Sequence, residues 1–368
     1  MNVVSLFDGM SCGMVALERA GIEVDTYYAS EIDKYALTVS HANYPEIVRL
    51  GDVQAWSSWN IPWGEIDLVI AGSPCQGFSF AGKQLAFDDP RSKLFFTFVD
   101  ILNVIKKQNP NVKFMLENVK MKKEFLEVIS EQVGVEPVFI NSALVSAQNR
   151  QRYYWTNWEF GQPEDRGIML KDILEETPLE FTLMSDKFVN RQKGRKCLID
   201  DTKEKAASLS AMEYVKNGRQ GDYLKCDIKG GRITGRYLVD GKRQDGKMKT
   251  AGLTTQYLEV REDGKTNCLS TVQKDNVVVK IETGEESTIR DKSKCVRSGG
   301  RKSYDRHEWD SVDELHYRKL TVVECERLQT VPDGYTEGVS NTQRYKMLGN
   351  GWNVDAIAHI FQGLKNAT

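Results

Sequence analysis

The chain has no Cys-x-x-Cys pair, and its seven cysteines, an odd number, lie scattered at positions 12, 75, 197, 226, 268, 295 and 325. Its four histidines, at 41, 307, 316 and 359, are equally dispersed. That pattern suggests neither a disulfide framework nor a zinc site, and no metal is expected. No apolar run approaches the ~20 residues needed to span a bilayer. Nor does the start carry a basic stretch, an apolar run and a small-residue cleavage site. The chain therefore reads as intracellular. Most of its cysteines read as small buried hydrophobes; Cys75 needs a separate argument.

A large charge excess is also missing, since the formal net charge is −2. The total hides an asymmetry. Residues 166 to 310 hold about 30 Lys/Arg against about 24 Asp/Glu, leaving the remainder acidic by about 8. A basic segment within an acidic chain points to a polyanion partner, the alternative being a solvated basic surface. What is present otherwise is ordinary for a soluble globular protein: 40% apolar and 28% charged residues over 368 positions, enough for one large domain or two.

From Met1 to about Trp158 short apolar runs alternate with helical stretches. Val3-Val4-Ser5-Leu6-Phe7 precedes a helical Gly13 to Ala20 closed by Gly21, and Asp25 to Ser30 precedes a helical Asp33 to Val39. Further strands are expected at 66 to 71 and 112 to 116, separated by an amphipathic stretch from Leu94 to Lys106. This alternation predicts an α/β fold with a mostly parallel sheet and helices on both faces. Ligands of such sheets bind beyond the carboxyl ends of the strands, where Asp8, Glu31, Asp52, Cys75 and Glu117 stand. The middle of the chain differs, with short β-like runs such as Asn276 to Lys280 and turn signals at Asp240-Gly241, Asp245-Gly246 and Asp263-Gly264. After His316 helical periodicity returns, closing with a helix over Val354 to Leu364.

The first loop, Phe7-Asp8-Gly9-Met10-Ser11-Cys12-Gly13, resembles a nucleotide-type turn, with small residues that let a ligand approach backbone N–H groups at a helix start. Glu31, about twenty residues on, is placed to accept from ribose hydroxyls, and Asp52 could face an adenine amino group. Together they fit an adenosine-containing cofactor. Cys75 sits in Gly72-Ser73-Pro74-Cys75-Gln76-Gly77, a loop free at its glycines and stiffened by Pro74. An ordinary cysteine pKa of ~8.5 leaves little thiolate at neutral pH without activation. A thiolate and the carboxyl of Glu117 facing one electron-poor ring suit conjugate addition. In Gln148-Asn149-Arg150-Gln151-Arg152, an extended backbone would put Gln148, Arg150 and Arg152 on one face. Two guanidiniums there could bind a carbonyl oxygen, phosphate or carboxylate, or pair with surface acids.

The ordered motifs FDGMSCG, SEID, GDV, GSPCQGFS, RSKLFF, LENV, QNRQRYYW, RKLTVVECERLQTVP and MLGNGW resemble those of the DNA (cytosine-5) methyltransferase family. The likeness is to its bacterial and phage type, and the first half is also similar to animal de novo DNA methyltransferases. It covers roughly 1 to 160 and 315 to 368. The resemblance implies a Rossmann-like S-adenosylmethionine-dependent catalytic domain over 1–165 plus 315–368, with a smaller, mostly β target-recognition domain inserted at 166–314. It implies Cys75 as nucleophile toward carbon 6 of a flipped cytosine, Glu117 on ring nitrogen 3 and the amino group, Arg152 on the base oxygen, and Arg150 in support. Phe7, Asp8, Gly9, Met10, Glu31, Ile32, Asp52, Val53, Pro74, Leu94, Asn350, Gly351 and Trp352 would line the S-adenosyl-L-methionine pocket. Two positions depart from the family: Ser11 where a glycine is frequent, and Gly351 where a serine is frequent.

Candidates for contact with double-stranded DNA are Gln76 and Ser79 on the Cys75 loop and, in the middle segment, Arg191, Lys193, Arg195, Arg232, Arg236, Arg297 and Arg301. The expectation is a cytoplasmic, nucleoid-associated monomer with a restriction endonuclease as candidate partner. Methylation of RNA cytosine, or a catalytically idle DNA-binding regulator, are the competing readings.

Overall fold

The computed structural model describes residues 1–73, 93–175, 182–183, 214–216, 223–239, 242–243, 254–261, 263–269, 276–282 and 315–367. Pro74, Cys75, Gln76, Ser79, Arg191, Lys193, Arg195, Arg297 and Arg301 lie outside them. The chain divides into two compact units, the first being Met1–Glu175, Asn267–Gln273 and Thr321–Thr368, the second Glu176–Thr266 and Lys274–Leu320.

In the first unit the expected alternation is realised. Strands β1 (Asn2–Leu6), β2 (Thr26–Ser30), β3 (Val48–Arg49), β4 (Leu68–Gly72), β5 (Lys113–Val119), β6 (Val138–Asn141), β7 (Gln148–Asn149) and β8 (Gln151–Thr156) are interleaved with helices α1 (Cys12–Ala20), α2 (Lys34–Asn43), α3 (Lys93–Gln108) and α4 (Lys123–Val133). The main sheet runs β3-β2-β1-β4-β5-β8-β6. It is parallel from β3 through β5. It turns antiparallel at β8 and β6. A parallel sheet covered on both faces needs near-continuous apolar strands, and Leu68, Val69, Ile70 and Ala71 of β4 are all fully buried.

Alternation along the strands assigns the two faces. Val4, Leu6, Val69, Ala71, Phe114 and Leu116 pack in one cluster with Phe95, Phe98, Leu102 and Ile105 of α3 and Phe125 and Ile129 of α4. Each such buried side chain stabilises the fold by roughly 1.5–3 kcal/mol relative to exposure. On the opposite face α1 lies so near Ile70 that a Cβ on Gly13 would stand 2.5 Å from its Cδ1. Helix α5 (Leu170–Ile173) closes the first stretch of the chain, and the returning C-terminal segment supplies α6 (Val322–Leu328), α7 (Asn341–Asn350) and α8 (Val354–Ala367), with α8 packed on α1. Helix α6 starts on a reciprocal capping box, Thr321 with Glu324, which satisfies two otherwise orphaned N–H groups.

The second unit is a sheet. Its strands are β9 (Thr182–Leu183), β10 (Tyr214–Lys216), β11 (Tyr223–Val239), β12 (Lys242–Arg243), β13 (Thr254–Val260), β14 (Asn276–Glu282) and β15 (Leu315–Lys319), in the order β10-β11-β14-β15-β9 with β12 and β13 also on β11. Strands β11 and β12 pair antiparallel, Val239 with Lys242 and Leu238 with Arg243; Asp240-Gly241, Asp245 and Gly246 lie outside the described residues. The backbone of Arg232 is bracketed by Glu259 and Asn276, and that of Arg236 pairs with Thr255.

Candidate active site

The first turn, between β1 and α1, holds three residues in the left-handed region: Phe7 at φ 59°, Gly9 at 61° and Ser11 at 62°. Only glycine adopts this without steric cost. At Ser11 hydrogen bonds offset that cost: its Oγ donates to Asp8 Oδ2 at 2.6 Å and lies 2.7 Å from Ser40 Oγ. Asp8 thus faces inward, Oδ1 also accepting from Ser5 Oγ at 2.6 Å and Tyr27 Oη at 2.7 Å. Burial raises its carboxyl above the ordinary range, against the pull of these three hydroxyl donors.

Glu31, at the end of β2, reaches back to the turn. Its Oε2 accepts from Gly9 N at 2.8 Å, and Oε1 from Ile32 N at 2.8 Å and Asp33 N at 2.7 Å. The carboxylate is thereby fixed, with acceptor capacity to spare. Beside it a Cβ on Gly9 would meet nothing within 4 Å, and the Ile32 side chain is 72% exposed. Asp52 caps the next turn through Gln54 N at 2.9 Å, and Val53 is buried. Open space at Gly9, an uncovered apolar side chain at Ile32 and a fixed acceptor at Glu31 fit an adenosine-bearing cofactor. Met10 is buried instead, its carbonyl accepting from Tyr335 Oη at 2.6 Å. Leu94 packs partly buried on the α3 side of the core, and Asn350 ends α7 exposed.

The second group stands at the ends of β4, β5 and β8. Gly72 and Glu117 are register partners, and Asn118 Nδ2 donates to Ser73 Oγ at 3.1 Å across the same two strands. Arg152 Nε lies 2.7 Å from Glu117 Oε1. Trp352 Nε1 donates to Glu117 Oε2 at 3.2 Å. Burial works against the charge on Arg152, but Glu117, Cys268 and Tyr154 together outweigh it and hold the guanidinium pKa above its usual value.

Arg150 does not touch Glu117. The strand pattern breaks between β7 and β8 at Arg150. Its Nη2 donates to Gly351 O at 2.8 Å and its Nη1 to Gly349 O at 3.4 Å, which makes it a tether for the loop after α7. Gln148 turns to the same region, donating to Leu328 O at 3.1 Å. The two arginines do converge on Cys268, with Arg150 Nη1 at 3.2 Å from its Sγ and Arg152 Nη2 at 3.9 Å. Cys268 departs from the expectation of a small buried hydrophobe: burial raises its pKa, yet the two guanidiniums outweigh that and lower it overall. Cys12 and Cys325 are buried as expected.

The profile of the C-5 cytosine-specific DNA methylase family matches residues 1–366. The chain belongs to that family. The orphan methyltransferase M.SPRI of Bacillus phage SPR is 28% identical over 432 residues, covering 99% of this chain and 97% of its own. The type II methyltransferase M.HhaI of Haemophilus parahaemolyticus is 30% identical over 277 residues, 66% of this chain and 79% of its own. Among solved structures, the Entamoeba histolytica methyltransferase EhMeth shares the fold, with a TM-score of 0.58 at 14% identity over 100% of this chain and 98% of that one. This C-5 cytosine DNA methyltransferase is an enzyme with S-adenosyl-L-methionine as its cofactor. Among the described residues no helix is long and apolar enough to cross a membrane, and no group of three or more His, Cys, Asp or Glu could hold a metal ion.

Proposed function

We propose that this methyltransferase modifies carbon 5 of a cytosine flipped out of duplex DNA, through transient addition of Cys75 to carbon 6. The observation that carries the reading is the Glu117–Arg152 pair, 2.7 Å apart, beside the carboxyl end of β4. Cys75 follows Gly72, the register partner of Glu117, by three residues, a length of chain that reaches about 11 Å at most.

Carbon 5 of cytosine is too electron-poor to attack a methyl donor. Thiolate addition at carbon 6 pushes the ring electrons toward carbon 5, with Glu117 engaging ring nitrogen 3 and the amino group and Arg152 the base oxygen. Addition runs perpendicular to the ring, on a face that stacking covers in a duplex, so the base must leave the helix. S-Adenosylmethionine, when bound, supplies an electrophilic methyl group. Glu31, Gly9, Ile32 and Asp52 would hold its adenosine part. Loss of the carbon 5 proton then expels the sulfur and restores the thiolate. The second unit would read the DNA sequence, with Arg232 and Arg236 on β11 contacting phosphate or guanine.

Duplexes carrying 5-fluorocytosine at a modified site, which cannot lose a proton from carbon 5, should trap a covalent complex whose cross-linked peptide contains Cys75. A Cys75→Ala protein that methylates DNA as well as wild type would overturn the assignment. Greater methyl transfer to transfer RNA than to a duplex DNA pool in direct competition would replace the DNA reading with an RNA one.

A further inference from the structure

The C-terminal loop places one aromatic residue where no catalytic step above uses its side chain. Trp352 Nε1 donates to Glu117 Oε2 at 3.2 Å, while Oε1 faces Arg152 Nε at 2.7 Å. The two carboxylate oxygens are thus held from two sides by groups far apart in sequence. The indole also closes on the backbone of β4: a Cβ on Gly72 would stand 2.8 Å from its Nε1 and 3.2 Å from its Cε2 and Cζ2. At its other edge, a Cβ on Gly13 would stand 3.5 Å from Cζ3. Glycine at 72 is what admits the ring at the end of β4, and at the start of α1 the ring lies at ordinary van der Waals distance.

The ring is carried on a fixed loop. Gly351 O accepts from Arg150 Nη2 at 2.8 Å and Gln329 Nε2 at 3.2 Å, and Gly351 N donates to Met347 O at 2.7 Å. On the other side Asn353 Nδ2 donates to Leu328 O at 2.9 Å, and Val354 N to Gln329 O at 2.9 Å. With both neighbours tied to backbone, the indole has little freedom except about its own side-chain bonds. A donor fixed this way selects one orientation of the carboxylate it meets.

From this geometry we infer that Trp352 is a positioning residue for Glu117: its indole N–H fixes the carboxylate so that the second oxygen stays with Arg152, and it links that orientation to the turn at the start of α1. The inference rests on the reading that Glu117 engages the base. Fixing Glu117 before the base arrives lowers the barrier to the chemical step more than it strengthens binding, since the contact concerns a group that acts in the transition state.

Trp352→Phe keeps the ring and removes the donor. It should lower kcat about tenfold, the cost of one hydrogen bond to a charged group, while cofactor affinity by calorimetry and KM for DNA stay within about twofold. In the Glu117→Gln protein, without cofactor or DNA, the indole N–H resonance identified as the one missing from Trp352→Phe should shift from its wild-type position. An unchanged kcat in Trp352→Phe, a fall in cofactor affinity matching the fall in kcat, or an unmoved indole resonance would each overturn the role. Full methyl transfer by Glu117→Gln would instead sink the assignment of Glu117 to the base, and with it the need for a positioning residue, whatever the resonance shows.

Discussion

Arg152 and Glu117 form an ion pair in which the geometry is only half made: Nε stands 2.7 Å from Oε1, yet the Nε–H finds no aligned acceptor. The guanidinium spends its other donors on Gln151 O at 2.9 Å and Cys268 Sγ at 3.9 Å. A pair this short and this poorly aligned has charge attraction without the full directional bond. The guanidinium is therefore held close while keeping a reason to turn toward a planar ligand that offers better angles.

Replacing Arg152 by Ala should show both sides of that arrangement. Glu117 would stay largely buried without its counter-charge, a change that costs about 3–5 kcal/mol in buried pairs; the residual exposure of both side chains, 13% and 10%, puts the expectation near the lower bound. Urea unfolding measures it. Methyl transfer should fall at least about 100-fold, and Arg152→Lys should recover stability more than activity, because an ammonium lacks the planar fork. Equal recovery of both would argue that only charge matters at this position.

Gly351 is the second departure from the family, and its surroundings explain it. A Cβ there would stand 3.0 Å from Met10 Cε, 3.1 Å from Met347 O and 3.5 Å from Cys12 Sγ. Its φ of −63° suits any residue, so the obstacle is space alone. Gly351→Ser should destabilise by about 1–2 kcal/mol, typical of overpacking. Adding Met10→Leu, which removes the flexible end, should restore part of the loss but not all, since the Met347 carbonyl cannot withdraw as easily. Thermal melts of Met10→Leu, Gly351→Ser and the double variant decide it; a double variant no better than Gly351→Ser, with Met10→Leu alone neutral, places the whole conflict on the backbone.

Much of this was legible in the sequence. The runs around Val3, Tyr28 and Ile70 alternate with helical stretches strongly enough to dictate the parallel sheet, and a parallel sheet puts Glu31 and Glu117 at one edge without further information. The two-residue period places Arg150 and Arg152 where both guanidiniums meet Cys268, but it does not foretell that Arg150 also bonds the 349 and 351 carbonyls. Nor does any local pattern reveal Trp352 on Glu117, separated by 235 positions, or Cys268 between two arginines more than a hundred residues earlier. Such contacts come from chain return, which periodicity does not encode. Asp8 was legible as a strand-end acid, but its inward turn depended on Ser5, Ser11 and Tyr27 converging on it.

That convergence carries a pH signature. The Asp8 carboxyl is raised in the folded protein by burial, so the native state holds its proton more tightly than the unfolded chain does. Its contribution to stability is therefore full below the unfolded pKa of ~3.9 and is lost as pH rises through the higher folded value. Asp8→Asn removes the titration. The difference in Tm, variant minus wild type, should grow more positive as pH is raised from about 4 to 8. A difference independent of pH would mean the hydroxyl donors offset burial completely.

Cys268 supplies a chemical test of the arginine cluster. Its thiol is held below the ordinary range by Arg150 and Arg152 despite burial. Burial pushes Cys12 up to about 12, and at Cys325 burial together with Glu324 and Glu326 raises the thiol further. Because the thiolate is the reacting species, iodoacetamide at pH 8 should modify Cys268 at least about tenfold faster than Cys12 or Cys325. Partial exposure of Cys268, against the burial of the other two, works in the same direction. Peptide mapping by mass spectrometry of the Cys75→Ser protein reads the three sites separately. Exposure and charge are then told apart by Arg150→Met, which should slow labelling at Cys268 if the guanidinium stabilises the thiolate, and hasten it if access alone sets the rate.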